Sequence, residues 1–126
     1  MNAQEPRKGF DLQDRFIEFA IAVVDIVTAL DSGRIPQHLG GQLLRSGTSP
    51  ALNYAEAMGA ESRKDFIHKL RITLKELRES SVCLKILSKA CYLPADHTIH
   101  QECNELIAII SKSIRTATNN LNAARL

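Results

Sequence analysis

A proline stands at the centre of an otherwise helical pattern, Leu43-Leu44-Arg45-Ser46-Gly47-Thr48-Ser49-Pro50-Ala51-Leu52-Asn53-Tyr54-Ala55-Glu56-Ala57. An interior proline removes a backbone donor and clashes with the carbonyl four residues back, at a cost of about 3 kcal/mol. A chain that keeps Pro50 behind Gly47-Thr48-Ser49 must end a helix there or bend it. If one helix continues across Pro50, then Leu43, Leu44, Ala51, Tyr54, Ala55 and Met58 share a broad face, with Arg45, Ser49, Leu52 and Glu56 opposite.

Three further helices flank this one. The first runs from an N-cap at Asp11 to about Leu30, where Asp31-Ser32-Gly33 closes it. Its apolar residues form three rows: Phe16, Ala20, Val23, Val27 and Leu30; Ile17, Ile21 and Val24; Phe19 and Ile26. A helix this apolar all round is buried on more than one side, so the extra row is expected to meet another subunit. Ile35-Pro36 opens the second helix and Gly59 stops it. Ser62, with Asp65 three positions on, caps a third that runs to about Tyr92 before Leu93-Pro94. Asp96 or Thr98 caps the fourth, where Ile99, Cys103, Leu106, Ile110, Ala117 and Leu121 keep helical spacing. The few glycines and prolines and the absence of tryptophan suit packed helices better than turn-rich strands. Short connections predict an all-α, antiparallel up-down-up-down four-helix bundle with its second helix kinked at Pro50. It forms one domain over residues 1–126, with residues 1–9 a flexible N-terminus.

The third helix carries three stripes. Phe66, Ile67, Leu70, Leu74, Leu77, Leu84 and Leu87 are the expected core. About 100° away lie Lys64, His68, Arg71, Lys75, Arg78 and Lys85, a basic edge able to track a phosphate backbone. The alternative is a solvated face partly neutralised by Glu61, Asp65, Glu76 and Glu79. A third row mixes Ile72, Glu76, Glu79, Cys83 and Ile86. Apolar residues in such a row suggest association, with Glu76 and Glu79 pairing across it, and Ile72, Glu76, Cys83 and Ile86 are the expected interface. The alternative here is a loosely covered monomer surface.

Catalytic chemistry finds no foothold in the chain. Cys91, His97, His100 and Cys103 are close in sequence, but Cys103 belongs to an apolar stripe and a small buried thiol is the ordinary reading. A di-metal helical site requires Glu-x-x-His, and His38, His68, His97 and His100 follow Ile35, Asp65, Pro94 and His97 at that spacing. Gly-rich phosphate loops and nucleophile elbows are missing from the sequence. No catalytic residue, metal or cofactor is therefore expected. Three widely spaced cysteines favour reduced thiols, and the sequence shows neither a signal peptide nor a membrane span, so a cytoplasmic location is expected.

Gln42-Leu43-Leu44-Arg45, the small segment Ser46 to Ser49, Pro50, Asn53 and Ala55-Glu56 form one block of motifs. Ser62, Asp65-Phe66, Leu70, Ile72, Leu77 and Glu79 follow. This succession resembles the bacterial 23S rRNA intervening-sequence protein family of four-helix bundle proteins. The chain departs from that pattern at Ala57, where glycine is usual, and at Thr73, Lys75 and Glu76, where small residues are usual. The resemblance implies a homo-oligomer, favouring five subunits, without known catalytic activity. Relatives act as accessory proteins of diversity-generating retroelements, associated with reverse transcriptase and nucleic acid. Carried over residue by residue, it marks Arg45, Asn53, Glu56 and Glu79, beside Pro50, as structural or interface positions.

Together these readings predict a non-enzymatic, self-assembling protein that associates with RNA or DNA through its basic edge. The second reading is a scaffold that organises a partner enzyme such as a reverse transcriptase and does not itself bind nucleic acid.

Overall fold

The computed structural model describes residues 8–124, with side chains from Leu12 onward. Most of the expected flexible N-terminus, residues 1–7, lies outside the described residues. Four helices account for most of the rest: α1 (Lys8–Ala29), α2 (Arg34–Met58), α3 (Arg63–Lys89) and α4 (Ile99–Ala124). The described residues contain no strand.

Helix α1 begins a turn earlier than the Asp11 cap predicts, so Asp11 sits within it. The nearest upstream helix breaker is Pro6, which leaves that turn free to form. The core takes Phe16, Phe19, Val23 and Ile26 from α1, whereas Ile17, Ile21 and Val24 are more than two-fifths exposed. Two of the three apolar rows thus supply the core, and the third lies outside.

Helix α2 runs through Pro50 without interruption. Its buried face consists of Pro36, Gly40, Leu43, Ser46, Gly47, Pro50, Tyr54 and Ala57. This corrects the predicted face: Leu44, Ala55 and Met58 point outward, and the small residues around the proline point inward. The cause is backbone proximity. A β-carbon on Gly47 would lie 2.6 Å from Val23 Cγ2, and one on Gly40 would lie 3.0 Å from Leu30 Cδ1. Gln13 Nε2 donates to the Ala51 carbonyl at 3.1 Å, and the Phe16 and Tyr54 rings pack with centroids 5.1 Å apart.

Ser62 caps α3 as expected, its hydroxyl accepting from the Asp65 N–H at 3.0 Å. At the other end α3 stops at Lys89, a turn before Tyr92. Cys91 there takes a left-handed conformation, φ 67°. Its N–H donates to the Ser88 carbonyl at 3.1 Å, and the Tyr92 N–H donates to the Leu87 carbonyl at 2.8 Å. These two bonds make a Schellman stop, with cysteine in the position glycine usually occupies. Helix α4 begins at Ile99, whose N–H is taken by His97 Nδ1 at 3.1 Å. That histidine provides the side-chain contact expected of Asp96 or Thr98.

Consecutive helices pack side by side, and α4 returns to touch α1. Leu43, Leu70, Leu77, Leu84, Leu87, Leu106 and Ile110 join the α1 aromatics in one core. Phe66 and Leu74, predicted for that core, pack against it half-buried, and Thr73 and Ser80 take fully buried places on α3.

Candidate functional site

The outer face of α3 carries the basic edge. Lys64, His68, Arg71, Lys75, Arg78 and Lys85 are all exposed. None of these side chains forms an ion pair among the described residues. Two of the carboxylates expected to neutralise them are committed elsewhere. Glu76 and Glu79 both hold Arg45 of α2, with Arg45 Nη1 at 3.1 Å from Glu76 Oε2 and Nη2 bonded to Glu79. Helical spacing alone made Glu76 and Glu79 available to their lysine and arginine neighbours, but the neighbouring helix takes them first.

This contact belongs to a polar seam between α2 and α3. Lys69 Nζ lies 2.7 Å from Glu56 Oε1, and that bond raises the lysine pKa. Ser80 Oγ donates to Ser46 Oγ at 3.0 Å inside the protein. Asn53 Nδ2 turns back along its own helix to Ser49 Oγ at 2.8 Å. Arg45, Glu56 and Glu79 thus link two helices of one chain. Glu76, expected to pair across a subunit boundary, has its partner within the same chain.

The expected interface row is split by the fold. Cys83 is buried in the chain's own core, where burial raises its pKa against the lowering effect of Arg45. Ile72 is half-buried and Ile86 is exposed. Other large apolar residues face outward on α1, where Ile17, Ile21 and Val24 are exposed, and on α2, where Leu44 is.

The 23S rRNA-intervening sequence protein family matches residues 9–112. The chain belongs to this family. A solved structure from Bacteroides thetaiotaomicron, described as a protein of unknown function from the S23 ribosomal protein family, is 33% identical. The similarity covers 82% of this chain and 97% of that one, with a TM-score of 0.77. No curated protein matches.

Within this member of the 23S rRNA-intervening sequence protein family, the cysteine and histidine cluster disperses. Cys103 is buried and its thiol donates to the Leu77 carbonyl at 3.4 Å, with burial pushing its pKa to about 12. Cys91 is exposed, and His100 Nε2 lies 2.8 Å from Ser88 Oγ. Among the described residues no three His, Cys, Asp or Glu side chains converge as metal ligands. None of the described helices is long and apolar enough to cross a membrane.

A cleft between α1 and the start of α4, continued along the α3–α4 connection, is the feature that sequence reasoning missed. It comprises two adjoining cavities of about 320 and 350 Å³ that share Ala22 and His97. Phe19, Ile26 and Leu93 supply apolar lining, and Glu18, Asp25, Glu102 and Glu105 make the rim acidic. Arg15 bridges one end, with Nη2 2.6 Å from Glu102 Oε1 and 3.3 Å from Glu105 Oε1, and these bonds raise its pKa. No spacing within a single helix reveals a site that two distant helices build together.

Proposed function

We propose that this chain is a non-enzymatic, self-assembling four-helix bundle protein that binds RNA or DNA through the outer face of α3. The observation that carries the reading is the basic edge, unpaired among the described residues: six exposed groups along one helix, with Glu76 and Glu79 drawn away by Arg45. Cations spaced along a straight helix meet phosphates without reading bases, so little sequence preference is expected. The family name places relatives in an rRNA context, which agrees with a polyanionic partner.

The proposed architecture is an antiparallel up-down-up-down bundle, with α2 bent at Pro50. Gln13 of early α1 on Ala51 of late α2, and Lys69 of early α3 on Glu56 of late α2, support that order. The outward row Ile17, Ile21 and Val24 favours a homo-oligomer, five subunits preferred. In a ring, symmetry multiplies the α3 edge into a continuous basic surface. The proposed location is the cytoplasm, and the role requires no cofactor.

Replacing Lys64, Arg71 and Lys75 together with Glu tests the reading. Wild type is expected to bind single-stranded RNA or duplex DNA with an affinity that falls steeply with salt, and the triple variant to lose that binding with unchanged helix content. If wild type shows no binding at low salt, the scaffold reading replaces this one. The same apolar edge supports that alternative, in which a partner such as a reverse transcriptase is held through salt-insensitive contacts.

A further inference from the structure

We propose that the acidic α1–α4 cleft receives the C-terminal half of α3 from a second copy of this chain. The inference rests on the self-assembly reading and names the two surfaces that meet. Arg78, Lys85 and Lys89 share the outer face of α3 with Val82 and Ile86, which are 56% and 43% exposed. That face is cationic with an apolar centre. The cleft is its chemical inverse, apolar inside with Glu18 and Asp25 exposed at the rim. Neither of these two carboxylates has an ion-pair partner among the described residues.

The dimensions also agree. From Glu18 to Ala29 the α1 wall of the cleft extends about 16 Å along the helix axis, the same rise that separates Arg78 from Lys89. Both stretches sit at one height in the molecule. Ser88 of α3 bonds His100, and Leu77 accepts from Cys103, so this part of α3 is level with the start of α4 that walls the cleft. A rotation about an axis parallel to the helices therefore brings one surface onto the other without sliding.

The two surfaces are different patches of one chain, so the contact is heterologous and repeats around a closed ring. Val82 and Ile86 enter the apolar lining, and Arg78 and Lys85 meet Glu18 and Asp25. Lys64, His68, Arg71 and Lys75 continue the same face towards the start of α3, beyond the length that the cleft covers. In the assembly Arg78 and Lys85 thereby leave the nucleic-acid edge, which keeps Lys64, His68, Arg71 and Lys75 along the first half of α3.

Sedimentation tests the interface with paired charge reversals. Glu18→Lys with Asp25→Lys, and separately Arg78→Glu with Lys85→Glu, are each expected to raise the apparent dissociation constant of the oligomer at least about tenfold. All four changes in one chain are expected to restore assembly, since the charges again oppose. Circular dichroism checks that each variant keeps its helix content, and Val82→Asp supplies a second disruption at the apolar centre. An oligomer indifferent to both reversals and to Val82→Asp overturns this interface alone, as does a quadruple variant that fails to reassemble. A wild type that is monomeric at micromolar concentration overturns the assembly reading together with it. Loss of RNA or DNA binding by the Lys64, Arg71 and Lys75 variant, with the oligomer intact, bears on the nucleic-acid reading and leaves the interface standing.

Discussion

Helix α1 has two flanks, and they are built in opposite ways. Against α2 it packs backbone to side chain, with Gly47 under Val23 and Gly40 under Leu30 and Val27. Against α4 it stands off, leaving a cleft bridged at one end by Arg15 and two glutamates. The same helix presents apolar residues in both directions, so hydrophobicity does not separate the flanks. What differs is the size of the opposing side chain. Glycine lets α2 approach until dispersion contacts close the seam, whereas α4 meets this end of α1 through Arg15, Glu102 and Glu105, long side chains that span the gap and keep their charges near water.

The contrast is broken most directly at Gly47. Gly47→Leu is expected to prevent folding, because Val23 is buried, β-branched and unable to swing aside. Gly47→Ala is expected to lower stability by about 1–3 kcal/mol, through overpacking, in a denaturant titration. Adding Val23→Ala should recover part of that loss, and no recovery would mean that the close approach is not what glycine serves.

Alkaline pH probes a second sealed seam, between α3 and α4. Burial raises the Cys103 pKa from 9.0 to about 12, so the folded state keeps a proton that the unfolded chain releases. The stabilising effect is complete below pH 9 and is lost as pH rises towards 12, at about 1.4 kcal/mol per pH unit for this group. Stability measured across that window should fall less steeply for Cys103→Ala than for wild type. Equal slopes would show that the thiol is not sealed.

The α2–α3 seam stands between these extremes. Arg45→Ala leaves Glu76, whose side chain is only 13% exposed, without its cation. A loss of about 1–2 kcal/mol is expected, seen as a lower melting temperature. The smallest effect belongs to the open flank. Arg15 and its glutamates are each at least about one-third exposed, so Arg15→Ala should cost under about 1 kcal/mol and less in high salt. If Arg15→Ala proves the more damaging of the two, the cleft is held shut by charge and the comparison between the flanks fails.

Much of the fold is legible in the residues. Ser62 with Asp65 marks the start of α3, Gly59 marks the end of α2, and the leucines of α3 at positions 70, 77, 84 and 87 fall in the core that their spacing predicts. These features are local, set by hydrogen bonds and periodicity within one helix. The end of α3 was less legible, because nothing in Cys91 advertises a left-handed residue. The inward face of α2 was misjudged because Leu44 and Met58 outrank Ser46 and Gly47 in hydrophobicity. Proximity between backbones decided the matter, and no single-helix pattern encodes it.

The candidate site divides along the same line. By itself the sequence determined the four helices, the family membership and the basic edge of α3, since each depends on residues near one another in the chain. Only tertiary structure decided which charges remain free. Arg45 comes from another helix to take Glu76 and Glu79, leaving the basic edge of α3 without ion pairs among the described residues. Tertiary structure alone also produced the acidic cleft, whose walls are separated by some seventy residues of sequence and meet only when α4 folds back on α1. Periodicity acts over a few residues, but electrostatic pairing and shape depend on distance in space.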